Sequence, residues 1–240
     1  MALDPKNVGD GIIVEQGKWT FAGNVCDKFD SHVKRSIPLY AETHELIADI
    51  ASGFVDDHSI VYDFGCSTGS LCRLLAQRFS QKQLNIIGID LEQTMCDTAA
   101  KRLPAFASIQ YLQGNLLDSE LQASDFIACC YVIQFLARAD RPRVVKRAFN
   151  TLKPGGGFVL VEKVRTTDSA LDALYKKLYY DFKRRCGYSD SEILAKEKSL
   201  QGILDPMTDD ENHQMLKSAG FGKVHSLFQH LCFKAWLAVK

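Results

Sequence analysis

Residues 61–69 read VYDFGCSTG, an apolar strand that runs straight into a turn of small residues. Asp63, Gly65, Ser67 and Gly69 fall at alternate positions, and the apolar run Leu84–Ile89 ends in an acid, Asp90, 21 residues past Gly69. Small residues after a strand let the backbone approach a ligand closely, and the helix that follows presents unpaired N–H groups. An acid closing the next strand is placed to accept two hydrogen bonds from a ribose diol. A pyrophosphate-binding dinucleotide loop would need glycine at 67 and 70. Both are serine. The loop therefore suits a nucleoside ligand that carries no pyrophosphate.

The rest of the chain alternates strand and helix patterns. Residues 1–17 read as weakly ordered, and 26–52 as helical with a break at Ile37-Pro38, because proline restricts the residue before it. Strands follow at Ile60–Phe64, Leu84–Ile89, Ile109–Gly114, Phe126–Val132 and Phe158–Glu162. Helices lie between them at Leu71–Phe79, Gln93–Arg102 and Arg141–Leu152, and Pro154–Gly157 reads as a turn. This order predicts an α/β doubly wound sheet, mostly parallel, with right-handed crossovers. Residues 168–200 read as one charged helical stretch. His213–Ala219 reads as a helix capped by Gly220, and Gly222–Phe228 with Cys232–Val239 as a terminal hairpin. The expected organisation is an N-terminal segment and helical cap over 1–52, then a Rossmann-like domain over 53–240 with a helical insertion about 168–205.

Composition narrows the partners. Lys+Arg and Asp+Glu are 29 each, so net charge is zero and bulk attraction to nucleic acid is not indicated. No apolar run approaches the ~20 residues needed to span a bilayer, and MALDPKNVGDG shows no signal-peptide pattern. The eight cysteines form no C-x-x-C pair. They read as reduced thiols of a cytoplasmic protein, with no metal site expected.

The 61–69 spacing is similar to the D/E-x-G-x-G-x-G motif of class I S-adenosylmethionine (SAM) enzymes, with Ser67 at the central glycine. The resemblance sharpens over GKWTF (17–21), KRSIPLY (34–40), QFL (134–136), LKPGGGFVLVEK (152–163), DFKRRCGYSDSEI (181–193) and KSAGF (217–221). These blocks resemble the carboxy-S-adenosylmethionine synthase family of tRNA wobble-uridine modification. The resemblance implies a class I methyltransferase fold with an antiparallel C-terminal strand, a helical cap, a homodimer, and prephenate as carboxyl donor. One departure matters. The family's arginine for the cofactor carboxylate falls on Glu197, which repels a carboxylate and offers no fork of donors. A second is Cys130, where the family has asparagine.

The expected activity is therefore SAM-dependent methyl transfer to a small-molecule acceptor, with SAM as cofactor. The alternative is carboxy-SAM synthesis from SAM and prephenate, with Lys196 or Lys198 replacing the arginine. A further alternative is a SAM-binding interaction protein without catalysis. Gly65, Cys66 and Ser67 are expected at the methionine part, with Asp63 and Gly69 also cofactor-binding. Asp90 is expected at the ribose, Leu91 on the adenine, Asn115 or Asp118 at its amino group and Leu116 beside it by backbone contact. Tyr40 reaches the cofactor from the cap by resemblance, and Cys130 lies close to it. Methyl transfer needs a base only where the acceptor must lose a proton. His32, Tyr188 and Glu197 are the residues proposed for it, with Glu162 also weighed. The run KKLYYDFKRRCGY (176–188) reads chiefly as an amphipathic helix with solvated cations, the alternative being a positive, aromatic face for an anionic acceptor or RNA.

Overall fold

The computed structural model describes residues 6–21, 25–103 and 108–240. Its short strands β1 (Lys6–Asn7) and β2 (Ile13–Val14) pair as a ribbon, followed by helices α1 (Val25–Ser36) and α2 (Tyr40–Ala51). The alternating body comprises β3 (Ile60–Phe64), α3 (Ser70–Arg78), β4 (Asn85–Asp90), α4 (Gln93–Ala100), β5 (Ile109–Gln113), β6 (Ser124–Cys130), α5 (Arg141–Thr151) and β7 (Leu152–Arg165). Then come α6 (Ser169–Arg185), α7 (Asp190–Ser199), β8 (Met207–Thr208), α8 (Asp209–Ala219), β9 (Lys223–His230) and β10 (Phe233–Val239).

The sheet order is β5-β4-β3-β6-β7-β10-β9. Neighbours from β5 to β7 run parallel, while β10 is antiparallel to both β7 and β9. The chain reverses its winding between β3 and β6, which opens a crevice at the strands' carboxyl ends. Central strands carry apolar residues on both faces because helices cover both. Val61, Phe126 and Val159 pack on one side against Ile47 and Leu75, and Phe64, Ile127 and Leu160 pack on the other against Val144 and Leu216.

Four local expectations are corrected. Residues 6–17 are not weakly ordered: Val8 and Ile12 are buried with Trp19 and Phe29 in a third cluster. Residues 1–5 and 22–24 lie outside the described residues. Pro154–Gly157 does not end a helix as a free turn. It belongs to β7 as a bulge, since the register steps from Ser124↔Leu152 to Phe126↔Gly157, and Gly155 takes φ 81° to make it. The 168–200 stretch is two helices. Gly187 adopts φ 89°, and Ser189 with Glu192 forms a capping box that starts α7. The same device at Thr208 and Glu211 starts α8 before His213. Among the described residues, no helix is long and apolar enough to cross a membrane.

Candidate functional site

The loop after β3 is shaped by residues that must take left-handed backbone. Gly65 has φ 74°, and a Cβ there would collide with the Val132 side chain. Its N–H donates to Ile89 O at 2.7 Å, which ties the loop to the end of β4. Ser67 adopts φ 48° although it carries a side chain, a strain often stored at binding sites. Asp90 holds that strain in place. Ser67 N–H donates to its Oδ2 at 2.8 Å, and Glu92 N–H to its Oδ1 at 3.0 Å. An ionised carboxylate has about four lone-pair sites, so about two stay free for a diol. Burial pushes the Asp90 carboxyl up, against the pull of those N–H groups.

Asp63 is buried beneath the loop, where burial pushes its carboxyl up to about 7 and the charge of Asp90 adds to the rise. The Cys72 thiol donates to it at 3.3 Å and opposes that shift. A cation at the loop would favour the ionised form. Hydrogen bonding to Cys96 and burial push the Cys66 thiol up, so it is a neutral packing group and not a thiolate.

Opposite this floor lie β6 and its continuation. Tyr131 takes φ 60°, and its ring stacks on Tyr40 at 6.2 Å. Glu162 supports the turn from below: it accepts N–H bonds from Val132, Ile133 and Gln134 at 3.1, 2.8 and 3.2 Å. Those donors occupy its carboxylate, so it is a support and not a free base.

The roof comes from two distant stretches. The 17–21 segment runs beside the end of α7, with Gly17 N–H to Lys198 O at 3.1 Å and Trp19 N–H to Ser199 O at 3.2 Å. Tyr179 of α6 donates to Ser36 O at 2.8 Å. Floor, wall and roof enclose a cavity of about 660 Å³.

The sequence-predicted residues distribute around it unevenly. Tyr40, Asp63, Gly65, Cys66, Ser67, Asp90, Leu91, Asn115, Leu116 and Cys130 all line the cavity, as do His32 and Glu197. Gly69 does not. It precedes α3 with φ 74°, and a Cβ there would strike the Tyr111 hydroxyl. Tyr188 does not line it either. It stands behind His32, with its hydroxyl donating to Asp10 Oδ2 at 2.6 Å. Glu197 is bound by Lys176 and the Tyr180 hydroxyl. Burial pushes its carboxyl up, but those two hydrogen bonds outweigh it and hold the group below its ordinary range.

Sequence reasoning weighed Lys196 as a carboxylate partner and Lys183 as one cation of a mixed run, but missed that both are buried. Lys183 and Lys196 are both buried on the cavity wall. Among the described residues neither has an ion-pair partner. Lys183 lies over Tyr179 at 5.1 Å, and Lys196 packs on Trp19. Burial, then the charge of Lys163, pushes Lys183 down to about 8, and burial with Lys183 pushes Lys196 well below its usual range. The 176–188 run did signal cations among aromatics, but its helical period could not tell buried Lys183 from exposed Lys177 and Arg185.

Strand order, loop and closing acid define a class I SAM-dependent methyltransferase, and residues 61–156 match the family described as methyltransferase domain. The magnesium protoporphyrin IX methyltransferase of Synechocystis PCC 6803, solved with bound SAH, shares the fold at TM-score 0.65 and 14% identity, over 92% of this chain and 96% of that one. An O-methyltransferase family protein of Burkholderia thailandensis gives TM-score 0.65 at 17% identity, over 90% and 59%. Sequence relatives are more specific. The carboxy-S-adenosyl-L-methionine synthase of Wolinella succinogenes is 38% identical over 235 residues, 96% of this chain and 98% of that protein. The protein of the same name from Nautilia profundicola is 33% identical over 224 residues, 93% and 95% of the two chains. The chain belongs to the carboxy-S-adenosyl-L-methionine synthase family and is a SAM-dependent transferase.

Proposed function

We propose that this transferase moves the methyl group of SAM to a small anionic acceptor. The observation that carries this is the pair Lys183 and Lys196, buried on the cavity wall and, among the described residues, without an ion-pair partner. Burying an ammonium is costly unless something pairs with it, and an acceptor carboxylate would do so. Gly65, Cys66 and Ser67 would hold the methionine part of SAM, with Asp63 beneath it. Asp90 would hold the ribose, and Leu91, Asn115 and Leu116 the adenine. Tyr40 and Cys130 would pack beside the sulfonium, while Gly69 would act indirectly by seating Tyr111. SAM supplies a methyl group already activated by positive sulfur, so the chain's residues chiefly align the acceptor and exclude water. Residues 1–52 and 168–205 would form the cap, 53–240 carrying the sheet. Eight free cysteines suit a reducing cytoplasm, and exposed Leu171, Leu174 and Leu194 on α6 and α7 suit a homodimer contact.

A second reading is carboxy-SAM synthesis from SAM and prephenate, in line with the names of the relatives. Lys196, adjacent to Glu197 and on the cavity wall, favours it, because it could replace the missing arginine. Glu197 favours the first reading. It would sit against the extra carboxylate, although its pairing with Lys176 weakens the repulsion. Incubation with SAM and prephenate, read by mass spectrometry, separates the two. The expected result is no carboxy-SAM, and its clear formation would install the second reading. Glu197→Arg should shift binding toward carboxy-SAM by at least several-fold, since ~1–4 kcal/mol rides on the like-charge contact.

A further inference from the structure

Behind the cavity wall stands a side-chain relay that methyl transfer as described does not use. His32 Nδ1 lies 2.8 Å from Asp10 Oδ2. The Tyr188 hydroxyl donates to the same oxygen at 2.6 Å, and Arg35 Nη1 donates to Asp10 Oδ1 at 2.6 Å. Two donors besides the imidazole therefore hold Asp10 as a carboxylate, and its carboxyl lies below the ordinary range although burial opposes this. A carboxylate can only accept, so His32 Nδ1 carries the proton and Nε2 is left with a bare lone pair. That Nε2 is buried and, among the described residues, has no hydrogen-bond partner, although His32 lines the cavity. An unmet buried acceptor costs stability and calls for a function.

We infer that His32 Nε2 takes the proton of an acceptor hydroxyl, so that the second substrate is a small carboxylic acid that also bears an O–H group. This rests on the anionic-acceptor reading and adds the hydroxyl to it. The carboxylate faces Lys183 and Lys196, and the hydroxyl faces His32. As the acceptor O–H bond breaks, its proton goes to Nε2. The electron pair on oxygen forms the bond to the methyl carbon, and the carbon–sulfur bond breaks with its pair left on sulfur. Asp10 stabilises the imidazolium, and the proton returns to solvent as products leave.

The anion also prepares the base. Burial, then the charge of Lys196, pushes the imidazole down to about 4 against the opposing pull of Asp10, and Lys183 adds to the fall. Arg35 and Tyr188 complete the groups around the relay. A carboxylate that neutralises Lys196 removes the second of those depressions and makes His32 a stronger base only when substrate is present.

The test compares benzoate with its three hydroxybenzoate isomers, which keep one charge and move one hydroxyl through the cavity. Binding is read calorimetrically with S-adenosylhomocysteine present, and His32 by side-chain ¹⁵N NMR. Expected are at least one hydroxy isomer about fivefold tighter than benzoate, loss of that preference in His32→Phe with benzoate binding retained, and a rise of the His32 titration by about one pH unit with benzoate. Lys196→Met should raise the His32 titration without any ligand. Equal binding of all four compounds with an unmoved His32 overturns the proton-acceptor role and leaves the anion reading intact. No binding of any of them overturns both.

Discussion

Asp90→Ala is the most direct probe of the cofactor floor. The side chain accepts Ser67 N–H at 2.8 Å and Glu92 N–H at 3.0 Å, so alanine removes both bonds at once. Hydrogen bonds to a charged group are worth about 1.5–3 kcal/mol each when buried. Ser67 and Glu92 are only half-buried, so water takes over part of each bond, and relief of the buried charge offsets more. A net loss of ~2–3 kcal/mol follows, which lowers Tm by roughly 5–10 °C in a chain of this size. Loss of the ribose contact adds about 1–3 kcal/mol to SAM dissociation, a Kd raised roughly 5- to 150-fold. Asp90→Asn divides the two effects. Its one oxygen still accepts an N–H, so more stability survives while affinity falls nearly as far. Calorimetric titration with SAM and S-adenosylhomocysteine, alongside thermal melts, measures both. A Kd within about twofold of wild type in both variants, with the fold intact, would refute the ribose assignment.

Three further outcomes are expected. Gly65→Ala places a Cβ against Val132 at φ 74°, so it should abolish measurable SAM binding and lower Tm, whereas Gly202→Ala, with nothing near its Cβ, should cost only backbone strain. Glu162→Gln turns one acceptor toward a backbone N–H as a donor, and should cost about 1–3 kcal/mol in urea unfolding and weaken SAM binding through Val132. Asp63 gives a pH signature: its carboxyl sits at about 7 when folded against 3.8 ordinarily, so the folded chain keeps a proton that the unfolded chain has released. The Asp63 contribution to the stability of the ligand-free protein therefore falls as pH rises through that window and levels above it, by at most ~4 kcal/mol. Glu162, pushed up to about 8, and His32 and His44, pushed down to about 4, also shape the profile. Asp63→Asn should therefore make stability between pH ~4 and ~7 fall less, or rise more, than in wild type in urea titrations, and an unchanged slope would remove Asp63 as a contributor.

The parts of the site legible in the sequence were those fixed by local geometry. Gly65, Ser67 and Asp90 are set by a strand, a turn and a following strand, whose spacing the backbone dictates. The break at Ile37-Pro38 was legible for the same reason: α1 ends at Ser36 and α2 begins at Tyr40. The roof was not legible, because it depends on which faces of α1, α6 and α7 meet. Lys183 and Arg184 are neighbours in sequence, yet one is buried at the cavity and the other pairs with Asp181 and Asp190 in solvent. His32 showed itself as a lone histidine, since its partner Asp10 sits in a ribbon turn with no helical or strand period. Tyr188 was legible as a nearby polar group but not as one removed from the cavity by the His32 ring.

The stacking of Trp19 in the roof gives the protein its own optical reporter. The chain has two tryptophans. Trp236 is sealed in β10 with its indole N–H donating to Asp209 at 3.1 Å, and it does not line the cavity. Trp19 does line it, with Lys196 on its face and His32 stacked at 5.8 Å. An ammonium and an imidazolium are both charges that perturb indole emission. Ligand arrival and proton movement at the roof would thus change the intensity of one fluorophore against a silent one. Stopped-flow emission could then time loading of the cavity and charging of its histidine separately, without a label.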